Sequence, residues 1–225
     1  MSAQIIWYAC ACALGLAVVI WAGMRGPRLL ARYFEPHGLP TPAASHLVYL
    51  TALVEAAVLF AGFTDPFLTV TLPLSGVLAM HLLVDGTVKK LPNALTVIGA
   101  GLLAVGAVIG VVHAWQEVHL AELLFNVAVG ALVWFLPLFV VRSLGGSVGR
   151  GDIKLAPLLG AWLGLYSAGT AFGGLVTGFV IGGVYACVLL VARKARLTDT
   201  VAFGPAMISG AALIWLMGSG TIASF

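Results

Sequence analysis

Charge is what this sequence has least of: Asp, Glu, Lys and Arg make up 8% of its 225 residues, where a soluble domain carries about a quarter. With 61% hydrophobic residues beside that scarcity, a water-soluble globule is excluded, and an all-α, polytopic membrane protein is what the composition supports. Cysteine is scarce too. Cys10, Cys12 and Cys187 fall inside apolar runs and form no Cys-x-x-Cys pair, so they say nothing about redox compartment, no structural zinc site is expected, and packing as small buried residues is their reading. No His-Glu-x-x-His motif, no phosphate-binding glycine loop ending in Lys and Ser or Thr, and no Ser/His/Asp signature occurs, which removes the parts that metalloprotease, nucleotide and serine-hydrolase chemistry need. Neither a cofactor nor a nucleic-acid partner is expected.

Long apolar runs are what the chain has instead. The first, Gln4 to Met24, lacks a basic segment ahead of it and has spanning length, so it reads as a first span and not as a cleaved signal. After it come Arg25, Arg28 and Arg32, then a stretch with Pro27, Pro36, Pro40 and Pro42 that predicts a loop of about twenty residues. A second span runs from about Leu47 to Phe63, with Glu55 near its middle. The third covers Phe67 to Val84, and Leu91, Pro92 and Asn93 break the chain before a fourth from Ala94 to Val112. His113, Trp115, Gln116, Glu117 and His119 form a connection without Lys or Arg, expected on the outer side. The fifth span is Leu123 to Val141.

From Leu155 to Val191 there are 37 residues without a charged side chain, about 55 Å as helix at about 1.5 Å per residue. That length is too great for one span of a core about 30 Å thick and suits two short ones. A sixth span from Leu155 to about Tyr166, a turn near Ser167 to Gly169, and a seventh to Ala192 follow. Gly174, Gly178 and Gly182 recur every four residues on the seventh, a stripe that lets helices approach closely. An eighth runs from about Val201 to Met217. Eight crossings with both termini outside place all 11 Lys and Arg residues on the cytoplasmic side, in line with the positive-inside rule.

Against this background two acids stand out. Asp152 lies in Gly145 to Lys154, GGSVGRGDIK, where glycines 145, 146, 149 and 151 are free to take positive φ and suit a tight re-entry into the membrane. Asp85 lies 67 residues earlier, at the end of another apolar run, with His81 one helical turn before it. Carboxyl groups at membrane depth are costly, so a pair on one leaflet reads as a site. Two close carboxyls share a proton, one acting as base on water and the other polarising a carbonyl, which is the chemistry of aspartic proteolysis. A proton relay through Asp85, Asp152 and Glu55 in a transporter is the competing use. Glu55 and His81 are read first as packing groups.

Gly149, Arg150, Gly151 and Asp152 match the Gly-x-Gly-Asp motif of polytopic aspartyl proteases. With Ile153, Lys154, Leu155 and the Gly160 to Gly164 segment, they resemble the type IV prepilin peptidase family. Asp85 followed by Leu91, Pro92, Asn93, Leu95 and Thr96 is similar to that family's first catalytic segment, and Phe203, Gly204 and Pro205 to its last-helix motif. The resemblance implies a peptidase core over about 66–217 within a single transmembrane domain. It implies Asp85 and Asp152 as the catalytic pair, supported by Gly149, Gly151, Lys154, Pro92, Asn93, Phe203, Gly204 and Pro205, without metal. The implied substrates are prepilins, pseudopilins or Flp-type pilin precursors in the bilayer of the inner membrane. Many members also methylate their product, using a cysteine-bearing cytoplasmic domain between the first two spans. Here that loop has no cysteine, so peptidase activity without a methyltransferase domain is expected. A non-catalytic pilus-assembly component is the other alternative. Arg150 stands at the variable position of the motif, where its charge either supports Asp152 or snorkels to the interface. Lys154 serves as a positive anchor or takes part in the site.

Overall fold

A computed structural model describes residues 2–114, 118–146, 148–192 and 203–219. The described chain is all helical: α1 (Ser2–Phe34), α2 (Ala44–Ala61), α3 (Leu68–Val88), α4 (Asn93–His113), α5 (Leu120–Ser143), α6 (Arg150–Gly164), α7 (Ala168–Val191) and α8 (Gly204–Ser219), with one 3-10 turn at Glu35–His37. Six of these, all but α6 and α8, are long and apolar enough to cross a membrane. The protein is a polytopic membrane protein. At 15 and 16 residues, α6 and α8 reach only about 22–24 Å, short of a hydrocarbon core about 30 Å thick. The helices form two compact units, α1 to α4 and α5 to α8. The eight expected spans correspond to these eight helices. Two polar stretches of the sequence reading, residues 115–117 and the basic residues 193–196, lie outside the described residues, as does the expected start of the eighth span at 201.

In the first unit α3 is the central helix. Of its most apolar window 83% is buried, against 17 to 28% for the other long helices, and it packs against α1, α2 and α4. Its start is set by Asp65, whose Oδ1 accepts from Phe67 N at 2.8 Å while its carbonyl accepts from Leu68 N, satisfying N–H groups that a helix start leaves open. Thr69 on α3 donates to the Gly106 carbonyl of α4 at 2.8 Å. Away from that end, Val77, Met80 and Val84 of α3 join Leu30 and Phe34 of α1, Leu47 of α2 and Leu95 of α4 in one buried cluster.

That cluster corrects the expected loop after Met24. The helix α1 continues to Phe34 with Pro27 inside it, and only residues 35–43 connect it to α2. Proline removes one helical hydrogen bond, but the turns beyond it bury Leu30 at 0% and Phe34 at 4% exposure, and tertiary packing outweighs the local penalty. Gly38, with φ 66°, then stops the chain: its N–H reaches Glu35 O and Leu39 N reaches Phe34 O, the paired bonds of a Schellman ending.

Glu55 is 6% exposed, its carboxyl held between α1 and α3. A Cβ at Gly15 would meet Oε2 at 2.6 Å, and one at Gly76 would overlap Oε1. Glycine at both positions makes the room that the acid occupies.

In the second unit α5 and α7 are joined by Trp134, fully buried, whose indole N–H donates to Ala171 O at 2.7 Å. On the glycine stripe of α7, Gly174 lies nearest Leu163 of α6 and Trp134 of α5, while Gly178 and Gly182 face α8 and the residue before it. A Cβ at Gly178 would lie 3.4 Å from the Met207 Cα, and one at Gly182 would meet the Phe203 ring at 2.8 Å. The turn before α7 falls at 165–167, slightly earlier than expected, because Ser167 caps the helix by accepting from Thr170 N at 2.9 Å.

Candidate active site

Asp85 sits inside the last turn of α3 and is 3% exposed. The helix stops there by a left-handed residue that is not glycine: Lys89, with φ 53°, donates its N–H to Asp85 O at 3.1 Å, the single-bond αL ending. Three residues on, buried Pro92 holds extended backbone, φ −67° and ψ 116°, as the N-cap of α4. Proline supplies that conformation and its carbonyl accepts from Leu95 N and Thr96 N, so α4 begins at Asn93, which is exposed. Between the two helices stands His81, wholly buried. Its Nδ1 lies 3.2 Å from Val77 O and its Nε2 3.2 Å from Thr96 Oγ1 of α4.

Asp152 is 7% exposed and lies in the first turn of α6. The expectation of irregular, positive-φ backbone through this motif is corrected: Gly149 is an ordinary extended N-cap, φ −64° and ψ 142°, and Gly151 is helical. The helix starts at Arg150, not Leu155, because an acid three residues after the cap and the free N–H groups of a helix start suit each other. What glycine supplies at 149 is space, since a Cβ there would stand 2.8 Å from Asp152 Oδ2.

Positive φ occurs at Gly145, 86°. Gly145 N reaches Arg142 O at 3.0 Å and Gly146 N reaches Val141 O at 2.8 Å, a second Schellman ending that stops α5. Arg142 Nη1 donates to Val148 O at 2.7 Å, tying the loop down ahead of the acid. That tie was missed from sequence, where Arg142 read only as a span-end charge; the Gly145–Gly146 pair just past the span end was the available signal for the cap.

Of the other motif residues, Lys154 and Arg150 are exposed. Phe203, Gly204 and Pro205 start α8: Phe203 packs on Phe179 of α7, ring centroids 5.2 Å apart, and Pro205 stands in the first turn, where a missing N–H costs nothing. Within the first unit the structure thus brings together Asp85, Lys89, Pro92, His81 and Thr96 around one helix junction. In the second it joins Gly149 with Asp152, and Phe203 with the α7 stripe.

Residues 72–191 match the type IV leader peptidase family, and the chain belongs to that family. It is 32% identical over 157 residues to a prepilin leader peptidase/N-methyltransferase of Legionella pneumophila, an alignment covering 68% of this chain and 52% of that protein. A protein of the same description from Bacillus subtilis (strain 168) is 29% identical over 136 residues, 60% of this chain and 50% of its own length. The chain therefore spans about half the length of the curated relatives it matches. No solved structure matches it significantly.

Proposed function

We propose that the protein is a membrane aspartyl endopeptidase that removes the basic leader of type IV prepilin, pseudopilin or Flp-type pilin precursors at the cytoplasmic face. The observation that carries the reading is that both Asp85 and Asp152 lie within the residues matched to the family and are nearly buried, each in a terminal turn of its helix. In the proposed reaction one carboxylate takes a proton from water as its oxygen attacks the scissile carbonyl carbon. The other carboxyl donates a hydrogen bond to the carbonyl oxygen, and the proton passes to the leaving amine as the C–N bond breaks. Such a substrate has a soluble basic leader and an apolar helix that stays in lipid, so its scissile bond falls at the membrane edge.

The proposal extends to a single peptidase domain with its core at about 66–217, eight crossings with both termini outside, and an active site that needs no metal. It also includes a product left unmethylated by this chain, since residues 35–43, between α1 and α2, carry no cysteine. The test is leader cleavage in membranes co-expressing a tagged prepilin with the wild type or Asp152→Asn, read by product mass. Loss of the leader with the wild type alone supports the peptidase, and the same spectrum reports methylation. Intact prepilin beside a folded, inserted wild type sinks the reading in favour of transport or assembly.

A further inference from the structure

We propose that His81 is a positioning residue: through Thr96 it fixes the last turn of α3, and with it Asp85, against the start of α4. The hydrogen-bond inventory decides the geometry. Val77 O can only accept, so the ring nitrogen 3.2 Å from it, Nδ1, carries a hydrogen. In the neutral ring Nε2 is then an acceptor, and the Thr96 hydroxyl 3.2 Å away supplies the proton. The hydroxyl's other neighbour, Pro92 O, is 3.5 Å off, at the limit of hydrogen-bond reach.

The apolar contacts at this junction are complete without the pair, since Val77, Met80, Val84 and Leu95 already pack together. The buried imidazole and the half-buried hydroxyl beside it add little to such packing, and the imidazole is costly to bury unless bonded. What they add is one allowed register between the helices, because the bond forms at a single rotation and offset. Asp85 lies one turn further along α3 on the same face. Lys89 ends that turn on the Asp85 carbonyl, and α4 starts at Asn93. A slip at His81 and Thr96 is therefore passed to Asp85 with no flexible segment to absorb it.

The inference rests on the peptidase reading. It is tested by steady-state cleavage of a prepilin by the full chain carrying His81→Asn, His81→Gln, Thr96→Val or the Asn/Val double change, each assayed well below its own unfolding temperature. The Gln amide reaches the place of Nε2 and retains the Thr96 bond; the Asn amide stops near Nδ1 and loses it. Expected are a fall in kcat of about tenfold for His81→Asn and for Thr96→Val with KM changed less than about twofold, a double variant no worse than either single one, and recovery of most activity in His81→Gln. A Thr96→Val enzyme with the kcat of the wild type, losses that multiply in the double variant, or a Gln variant as poor as Asn would each overturn the inference while leaving the peptidase standing. A wild type that cleaves no prepilin overturns the peptidase reading and this inference with it.

Discussion

Asp85 closes a helix and Asp152 opens one. Asp152 lies in a first turn, where backbone N–H groups are free, and Asp85 in a last turn, where carbonyls are, so the same residue type stands at opposite ends of a helix dipole. The settings also differ in how tightly they are built. Gly149 leaves no space for a Cβ beside the Asp152 carboxyl, whereas a Cβ on Gly86, directly after Asp85, would meet nothing within 4 Å. One acid is crowded by a glycine of its own short segment, and the other stands one turn from a junction of two helices that His81 and Thr96 bridge. Two identical residues therefore need not be equally sensitive to their surroundings, even where the chemistry needs both.

The largest expected effect ignores that difference. Asp85→Asn and Asp152→Asn should each lower leader cleavage by about a thousandfold or more, because members of a unit that acts jointly are not additive. Mass analysis of the prepilin, with insertion checked by protease protection, reads the outcome. Activity surviving in only one variant would mean that the pair does not act as a pair. Next in size comes the neighbouring glycine. Gly149→Ala should cost about tenfold in cleavage, since the methyl group displaces a carboxyl and no backbone, and lower stability by about 1 kcal/mol because alanine caps a helix less well than glycine. Gly86→Ala should cleave at the rate of the wild type and unfold at a slightly higher temperature, by the helix propensity of about 0.5–1 kcal/mol. Reversed results for the two glycines would break the contrast drawn between their acids.

Much of this was legible in the chain because lipid constrains sequence strongly. Every long apolar run became a helix, and Pro92 ended the α3–α4 connection as its fixed φ requires. Both acids could be picked out because ionisable groups are so rare here. The misreadings arose where distant packing overrides local signals. Pro27 reads as a breaker, and only the burial of Leu30 and Phe34 against α3 and α4 shows why the helix runs through it. The glycines of the Asp152 motif read as flexible, yet two of them serve a regular helix start. Glu55 was visible as a mid-span acid, but its cradle was not, because Gly15 and Gly76 come from two other helices. Glu55→Gln, which keeps the shape and replaces the titratable carboxyl by a neutral amide, should cleave at close to the rate of the wild type; a loss comparable to the Asp variants would give Glu55 a part in the chemistry.

The smallest expected effects compare the two helix stops that precede the site's segments. Lys89 and Gly145 both take left-handed backbone, at φ 53° and 86°, but only one of them is glycine. A side chain costs about 1–2 kcal/mol in that conformation, and glycine's extra freedom in the unfolded chain offsets part of any gain. Lys89→Gly should therefore raise stability by no more than about 1 kcal/mol, and Gly145→Ala should lower it by about the same amount, as read from thermal unfolding in detergent. The activity of the Lys89 variant sharpens the comparison further. Its N–H still reaches the Asp85 carbonyl, so cleavage should be retained if the backbone stop is all that Lys89 contributes. A clear loss of kcat with stability unchanged would assign the ammonium group itself to the Asp85 side of the site, and the two stops would no longer be equivalent.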